Sequence, residues 1–268
     1  MNSKIRRLSY YALMIALVLV ATAAIQIPIP FTNGYIHAGD SMIFIAGIML
    51  GWKGGAISGG LGSALADLML GYPHWSIPTL IIKSVMGGIV GFMSQDYDEK
   101  RLNSLKKMIS VIISSGWIVL MLVLKSFLTK KVGGFSSTTY TTNLITKLEL
   151  DGISSLKNLY QSVQTSLSLA LILIPIVIII LYIILRLKDK EMFSLSSLIG
   201  IILAGVWMVT GYYVAGGILQ GSMIASIFTI PPNIIQFVGG MVIAYPILLG
   251  LKRTKYFEET LKNSKSSL

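Results

Sequence analysis

The chain has 268 residues and a formal net charge of +11; 54% are hydrophobic and only 12% charged, where a soluble domain carries about 25% charged residues. A mean hydropathy of +0.75 makes lipid the solvent for most of the chain. The basic residues stand in short clusters between apolar runs, not along one amphipathic face, which argues against nucleic acid as partner and matches the loops of a polytopic membrane protein. With no cysteine, disulfides and thiolate metal sites are excluded.

A membrane-spanning helix needs about 20 mostly apolar residues. The first such run, Leu8 to Ile27, follows Lys4, Arg6 and Arg7. Ala21-Thr22-Ala23 looks like a signal-peptide cleavage site, but the polytopic chain that follows makes the run a first membrane helix. Pro28 and Pro30 end it. Further runs follow at Ile36 to Trp52, Gly54 to Tyr72, Ser76 to Met93, Met108 to Leu124, Leu167 to Leu185, Leu195 to Leu219 and Met223 to Leu251. The second is short enough to be tilted or partly re-entrant. Pro175 and Pro246 lie inside runs and should kink their helices.

Eight spans with both termini in the cytoplasm place Lys4, Arg6, Arg7, Lys53, Lys100, Arg101, Lys106, Lys107, Arg186, Lys188, Lys190, Lys252, Arg253, Lys255, Lys262 and Lys265 inside. They leave Lys125, Lys130, Lys131, Lys147 and Lys157 outside. That asymmetry is the positive-inside pattern. The Ser-, Thr- and Asn-rich stretch from Thr129 to Ser166 reads as an external loop, partly helical around Leu148 to Val163. Lys252 to Leu268 reads as a frayed cytoplasmic tail.

Ionisable groups inside a membrane are costly, which makes Asp40, Asp67 and Lys83 functional candidates. Asp40 can equally cap a helix, and an Asp40–Lys83 or Asp67–Lys83 ion pair can serve structure alone. His37, Asp40, Tyr72, His74 and Trp75 all fall toward the outer face in this topology. The turn Gly71-Tyr72-Pro73-His74-Trp75-Ser76 combines aromatics and polar groups that suit a flat heteroaromatic ligand. Its Trp and Tyr also suit an interfacial belt. His37 and His74 lack a third ligand at motif spacing, so no metal site is expected, and no cofactor. Asn233 and Gln236 share a face at the start of the last helix; they can hold a polar ligand edge or bond neighbouring helices. Gly55–Gly59, Gly87–Gly91 and Ala12–Ala16 have the small-xxx-small spacing of close helix packing. No phosphate-binding G-x-x-x-x-G-K-[ST] loop, H-E-x-x-H or G-x-S-x-G motif occurs.

From about Tyr35 to Phe92 the chain carries Gly39-Asp40, the small-residue segment Gly55 to Asp67, Gly71-Tyr72 and Pro78 to Lys83; later come Gly211-Tyr212-Tyr213, Pro232-Asn233 and Gln236. Together these resemble the substrate-binding S components of energy-coupling factor (ECF) vitamin transporters, in the riboflavin-transporter-like S-component family. The resemblance covers about Ser9 to Met93 and Leu195 to Arg253. It implies an all-α integral membrane fold with a six-helix S-component core. Here two extra transmembrane helices are inserted between core helices four and five. The corresponding divisions are residues 1–98, 99–193, 194–253 and a tail from 254 to 268.

The resemblance further implies high-affinity binding of a vitamin or precursor from outside, and partnership with a transmembrane coupling protein and two ATPase subunits. Transport in the family is a toppling of the S component in the membrane. The resemblance implies Gly39, Asp40, Asp67, Tyr72, Lys83, Tyr212, Asn233 and Gln236 as substrate-binding residues, and the outer-face placement of His37 and Trp75 adds those two to the candidates. Ala12 and Ala16 match the family's coupling-protein contact. Within the family, hydroxymethylpyrimidine, pyridoxine-type and riboflavin-type ligands are all open; a pocket with Tyr72, Trp75, Asp40 and Asn233 leans toward a small pyrimidine or pyridine. The competing readings are a self-sufficient secondary transporter, which should show paired halves with broken helices, and a membrane enzyme. Neither a convincing internal repeat nor a catalytic constellation is present.

Overall fold

The computed structural model describes residues 3–29, 34–95, 100–133, 139–188 and 195–252. Helix α1 (Ser3–Ala24) leads into two short antiparallel strands, β1 (Gln26–Ile29) and β2 (Gly34–His37), paired Gln26 to His37 through Ile29 to Gly34. Then follow α2 (Gly39–Met69), α3 (Pro73–Ser94), α4 (Lys100–Val132), α5 (Thr139–Lys147), α6 (Ile153–Lys188), α7 (Leu195–Leu219), α8 (Met223–Ile227) and α9 (Ile230–Lys252). The strands depart from the all-helical expectation. Pro28 cannot continue a helix, so the first helix stops at Ala24 and the chain crosses to α2 as a ribbon. The tail from residue 253 onward lies outside the described residues.

Runs two and three of the sequence form the single element α2, broken at Gly51 (φ 72, ψ −172). That backbone conformation suits glycine, which has no Cβ to clash. The arms on either side of Gly51 double back on each other. A Cβ added at Gly55 would lie 2.8 Å from Gly47 Cα, and one at Gly59 would lie 3.0 Å from Ile43 Cγ2. Both pairs straddle Gly51 symmetrically, which makes the arms antiparallel. Helix α3 packs along them even more closely. A Cβ at Gly87 would stand 2.1 Å from Gly55 O, so only glycine permits that backbone approach. The start of α3 places Pro73 in the first turn, where its missing N–H costs nothing.

Helices α1, α7 and α9 complete the bundle around α2 and α3. Trp207 Nε1 on α7 donates to Ile82 O on α3 at 3.0 Å. Phe44, Met86, Met208, Phe228 and Phe237 fill its centre. The last apolar run is interrupted: α8 ends at Ile227, and α9 begins at Ile230.

The stretch expected as an external loop is mostly helical. Helix α4 reaches Val132, α5 covers Thr139–Lys147, and α6 begins at Ile153. The cause is an apolar stripe hidden among Ser, Thr and Asn. Met121, Leu124, Leu128 and Val132 on α4, and Leu156, Val163 and Leu167 on α6, recur three, four or seven apart and are buried. Polar residues line the same seam: Gln164 Nε2 donates to Thr129 Oγ1 at 3.0 Å. Lys147, at the end of α5, donates to Gly221 O at 2.8 Å and so ties this region to the α7–α8 turn.

The protein is an integral membrane protein. Among the described residues five segments are long and apolar enough to cross a bilayer: Lys4–Ala24, Gly39–Met69, Pro73–Ser94, Ser197–Leu219 and Met223–Leu251.

Candidate functional site

The break at Gly51 brings the two ends of α2 to the same end of the bundle, and with them Asp40 and Asp67. The β1–β2 ribbon lies at that end too. Beneath it is a cavity of about 50 Å³, lined by β2, the end of α2, the first turns of α3, and α7 and α9. Six of the expected site residues line it: His37, Asp67, Trp75, Tyr212, Asn233 and Gln236.

Asp40 and Lys83 lie behind this cavity, both fully buried, as an ion pair. The Lys83 ammonium also points at Met208 Sδ at 2.9 Å and sits 5.4 Å from the centre of the Tyr212 ring. A carboxylate, a thioether and an aromatic face thus share the cation, which offsets part of its desolvation. The other Asp40 oxygen accepts from Gln236 Nε2 at 3.0 Å. Gln236 Oε1 in turn accepts the His37 backbone N–H at 3.3 Å. One amide therefore links the ion pair to the strand that covers the cavity. Gly39 is buried beside this network, and a Cβ there would meet Thr22 Oγ1 at 2.0 Å. Gly240 on α9 also presses on Asp40, where an added Cβ would lie 2.8 Å from Asp40 Cβ. Of the expected binding residues, Gly39, Asp40, Tyr72 and Lys83 are not among those lining the cavity.

Asp67 faces the cavity. Its Oδ1 accepts from the Tyr35 hydroxyl at 2.8 Å. Its Oδ2 is buried and has no hydrogen-bond partner. The Tyr212 hydroxyl donates to Thr79 Oγ1 at 3.2 Å, and Thr79 stands beside the Asp67 carboxylate. Asn233 Nδ2 donates back to Thr229 O at 2.9 Å, anchoring its amide one turn into α9.

Aromatic rings continue from the cavity to the surface. Tyr35 stacks at 4.9 Å from Tyr72 and 5.5 Å from His37, and Trp75 lies 5.8 Å from Tyr212. His74 bridges Tyr72 and Trp75 at 6.3 and 6.1 Å. Tyr72 thus belongs to the aromatic rim rather than to the cavity wall.

On the ribbon, burial and the neighbouring Lys83 charge push the His37 imidazole down to about 4. The Gly39 N–H donates to His37 Nδ1 at 3.1 Å, which requires the neutral ring. Burial and the Asp67 carboxylate push the Tyr35 phenol up. Among the described residues no three His, Asp or Glu side chains are grouped to hold a metal ion.

Tyr35, Thr79 and Thr229 line the cavity without having been singled out from sequence. Thr79 stands four residues before Lys83 and so shares its helical face. That spacing was the available signal. Tyr35 carried none, because a strand was not expected there. Ala12 and Ala16 lie far from this site, exposed on the outer face of α1.

A bundle of apolar helices closes over a polar, aromatic-walled cavity at one end, and that cavity is the candidate binding site of this membrane protein. The profile of the family "ECF-type riboflavin transporter, S component" matches residues 2–152 and 166–253, and the chain belongs to that family. Members are substrate-binding subunits of transporters, not enzymes. The chain is also 46% identical over 78 residues to the "Uncharacterized protein in gap 3'region" of Pyrococcus woesei. That match covers 29% of this chain and spans about half of the relative, 52% of its length. No solved structure matches the chain significantly.

Proposed function

We propose that this protein is the high-affinity substrate-binding membrane subunit of an ECF-type importer for a vitamin or vitamin precursor. The cavity beneath the β1–β2 ribbon carries the reading. It is walled by aromatic rings and by polar side chains such as Asp67, Thr79, Asn233 and Gln236, and lies at one end of the bundle, where a ligand can enter from one side of the membrane. The ligand is a small flat heterocycle such as a hydroxymethylpyrimidine or a pyridoxine-like ring. A cavity of about 50 Å³ is smaller than the few hundred Å³ of ordinary ligand pockets. Binding therefore requires the walls to part, and a small ligand asks least of them.

The antiparallel arms of α2 count as two spans in this reading. With α1, α3, α7 and the α8–α9 segment they make a six-span core, and α4 and α6 add two spans between its fourth and fifth members. Both termini are cytoplasmic, and the cavity opens outward. A separate coupling protein and two ATPase subunits supply the energy. The exposed Ala12–Ala16 face of α1 is the surface that meets the coupling protein, since small residues let a second helix come close.

Mass spectrometry of small molecules that co-purify with the detergent-solubilised protein tests the binding role. A stoichiometric vitamin or precursor is the expected result. An empty protein that also ignores a vitamin panel in thermal-shift assays would sink it. For the coupling face, Ala16→Trp is expected to leave ligand affinity unchanged and to abolish uptake in a reconstituted complex; normal uptake would reject that assignment.

A further inference from the structure

The cavity's charge specifies which edge a ligand must present. The Asp40–Lys83 pair is closed on itself, with Gln236, Met208 and Tyr212 as its further partners. His37 is held neutral by the Gly39 N–H at its Nδ1. Among the cavity-lining side chains this leaves Asp67 as the acidic group, with no basic side chain opposing it there. Asp67 is only 6% exposed. Tyr35 satisfies Oδ1, while Oδ2 is buried without a hydrogen bond, and the Thr79 hydroxyl stands beside the same carboxylate. A buried acceptor left unmade costs about 1–3 kcal/mol, more for a charged group. A ligand that donates to it recovers that cost.

Building on the substrate-binding reading, we infer that Asp67 Oδ2 is the anchoring acceptor for a flat heterocycle bearing an N–H donor: an amino group, a ring N–H or an ammonium. Tyr35, Trp75 and Tyr212 give the ring its aromatic walls and also favour a positive charge. A ligand that presents only acceptors or a carboxylate at that edge meets like charge and an orphaned oxygen, and is rejected. Tyr35 has a positioning role: its hydroxyl holds Oδ1 and leaves Oδ2 for the ligand once the walls part.

The test uses the full-length protein in detergent and a fixed probe set: pyridoxamine, aminopyrimidine carbinol, thiamine, riboflavin, pantothenate, biotin and 4-pyridoxate. Affinity is read by calorimetry for the wild type and for Asp67→Asn, with each variant's ligand-free melting temperature as the folding control. The tightest probe is expected to carry an N–H donor and to lose roughly 10- to 100-fold in affinity with Asp67→Asn, as a charge-assisted hydrogen bond implies. Should Asp67→Asn not fold, the N-methylated analogue of that probe removes the donor instead. It should lose a similar factor on the wild-type chain. A tightest binder that lacks an N–H, or one indifferent to both changes, overturns the anchor and leaves the binding role standing. Failure of every probe to bind overturns the binding role and the anchor together.

Discussion

The bundle of α1–α3 and α7–α9 and the intervening α4–α6 region are held together by different physics. In the bundle, backbones touch: Gly55 against Gly87, Gly91 against Gly51, Gly240 against Asp40. Within lipid, close van der Waals contact and interhelical polar bonds take over from the hydrophobic effect as the source of helix association. The bundle uses both, and hides an ion pair at its centre. Helices α4 and α6 instead meet through Leu, Met and Val side chains at heptad-like spacing, and Gly116 on α4 has no neighbour within 4 Å of its added Cβ. A region packed by side chains tolerates change, whereas one packed by glycines does not.

The sharpest way to break this comparison is at a glycine. Gly87→Val should abolish the monodisperse folded protein on size-exclusion chromatography, because its Cβ alone would sit 2.1 Å from Gly55 O. Gly116→Ala should elute unchanged. Next comes the ion pair. Lys83→Met leaves Asp40 buried without its cation and should cost about 3–5 kcal/mol in denaturant unfolding. The double change Asp40→Asn with Lys83→Met should recover part of that, and an additive double mutant would show that the pair does not couple.

In the α4–α6 region, Leu128→Ala removes a fully buried side chain and should cost about 2–4 kcal/mol. Ligand affinity should stay unchanged, since among the described residues no cavity-lining residue comes from this region. A large affinity loss would make α4 part of the site. The smallest effect concerns pH. His37 is driven down to about 4 from an unfolded value of about 6.5. A depressed His binds its proton more readily when unfolded. The native state therefore keeps its full advantage above about pH 6.5 and loses it as pH falls toward 4. The melting temperature should drop across that window, and His37→Asn should flatten the slope.

The sequence made the bundle readable because its signals are lipid-scale: apolar runs of spanning length, and glycines at four-residue spacing. Asp40, Asp67 and Lys83 stood out as charges among apolar neighbours, a signal independent of tertiary detail. Which acid would pair with Lys83 was not readable, since that depends on how the Gly51 break folds the arms of α2. Tyr35 was hidden because a two-stranded ribbon of four-residue strands leaves no periodicity to detect. In the α5–α6 stretch the helix expected around Leu148 to Val163 meets the start of α6, but α5 stands where a loop is expected. Its Thr- and Asn-rich composition matches a loop, and its few apolar residues register only with the partner helices they pack against.

The break at Gly51 also bears on the order in which the site comes into being. Asp40, Asp67, Thr79 and Lys83 all lie on α2 and α3, whose mutual contacts are the densest in the molecule. These contacts span fewer residues than those that bring α7 and α9 to α2, so less chain must be closed to make them. Tyr212, Asn233 and Gln236 arrive only after the whole α4–α6 region has been made. During synthesis Asp40 and Lys83 can therefore meet within the α2–α3 unit, while Gln236 and the far wall of the cavity are still to come. The nascent chain carries an acidic half-site into the membrane first, and α7 and α9 close it last.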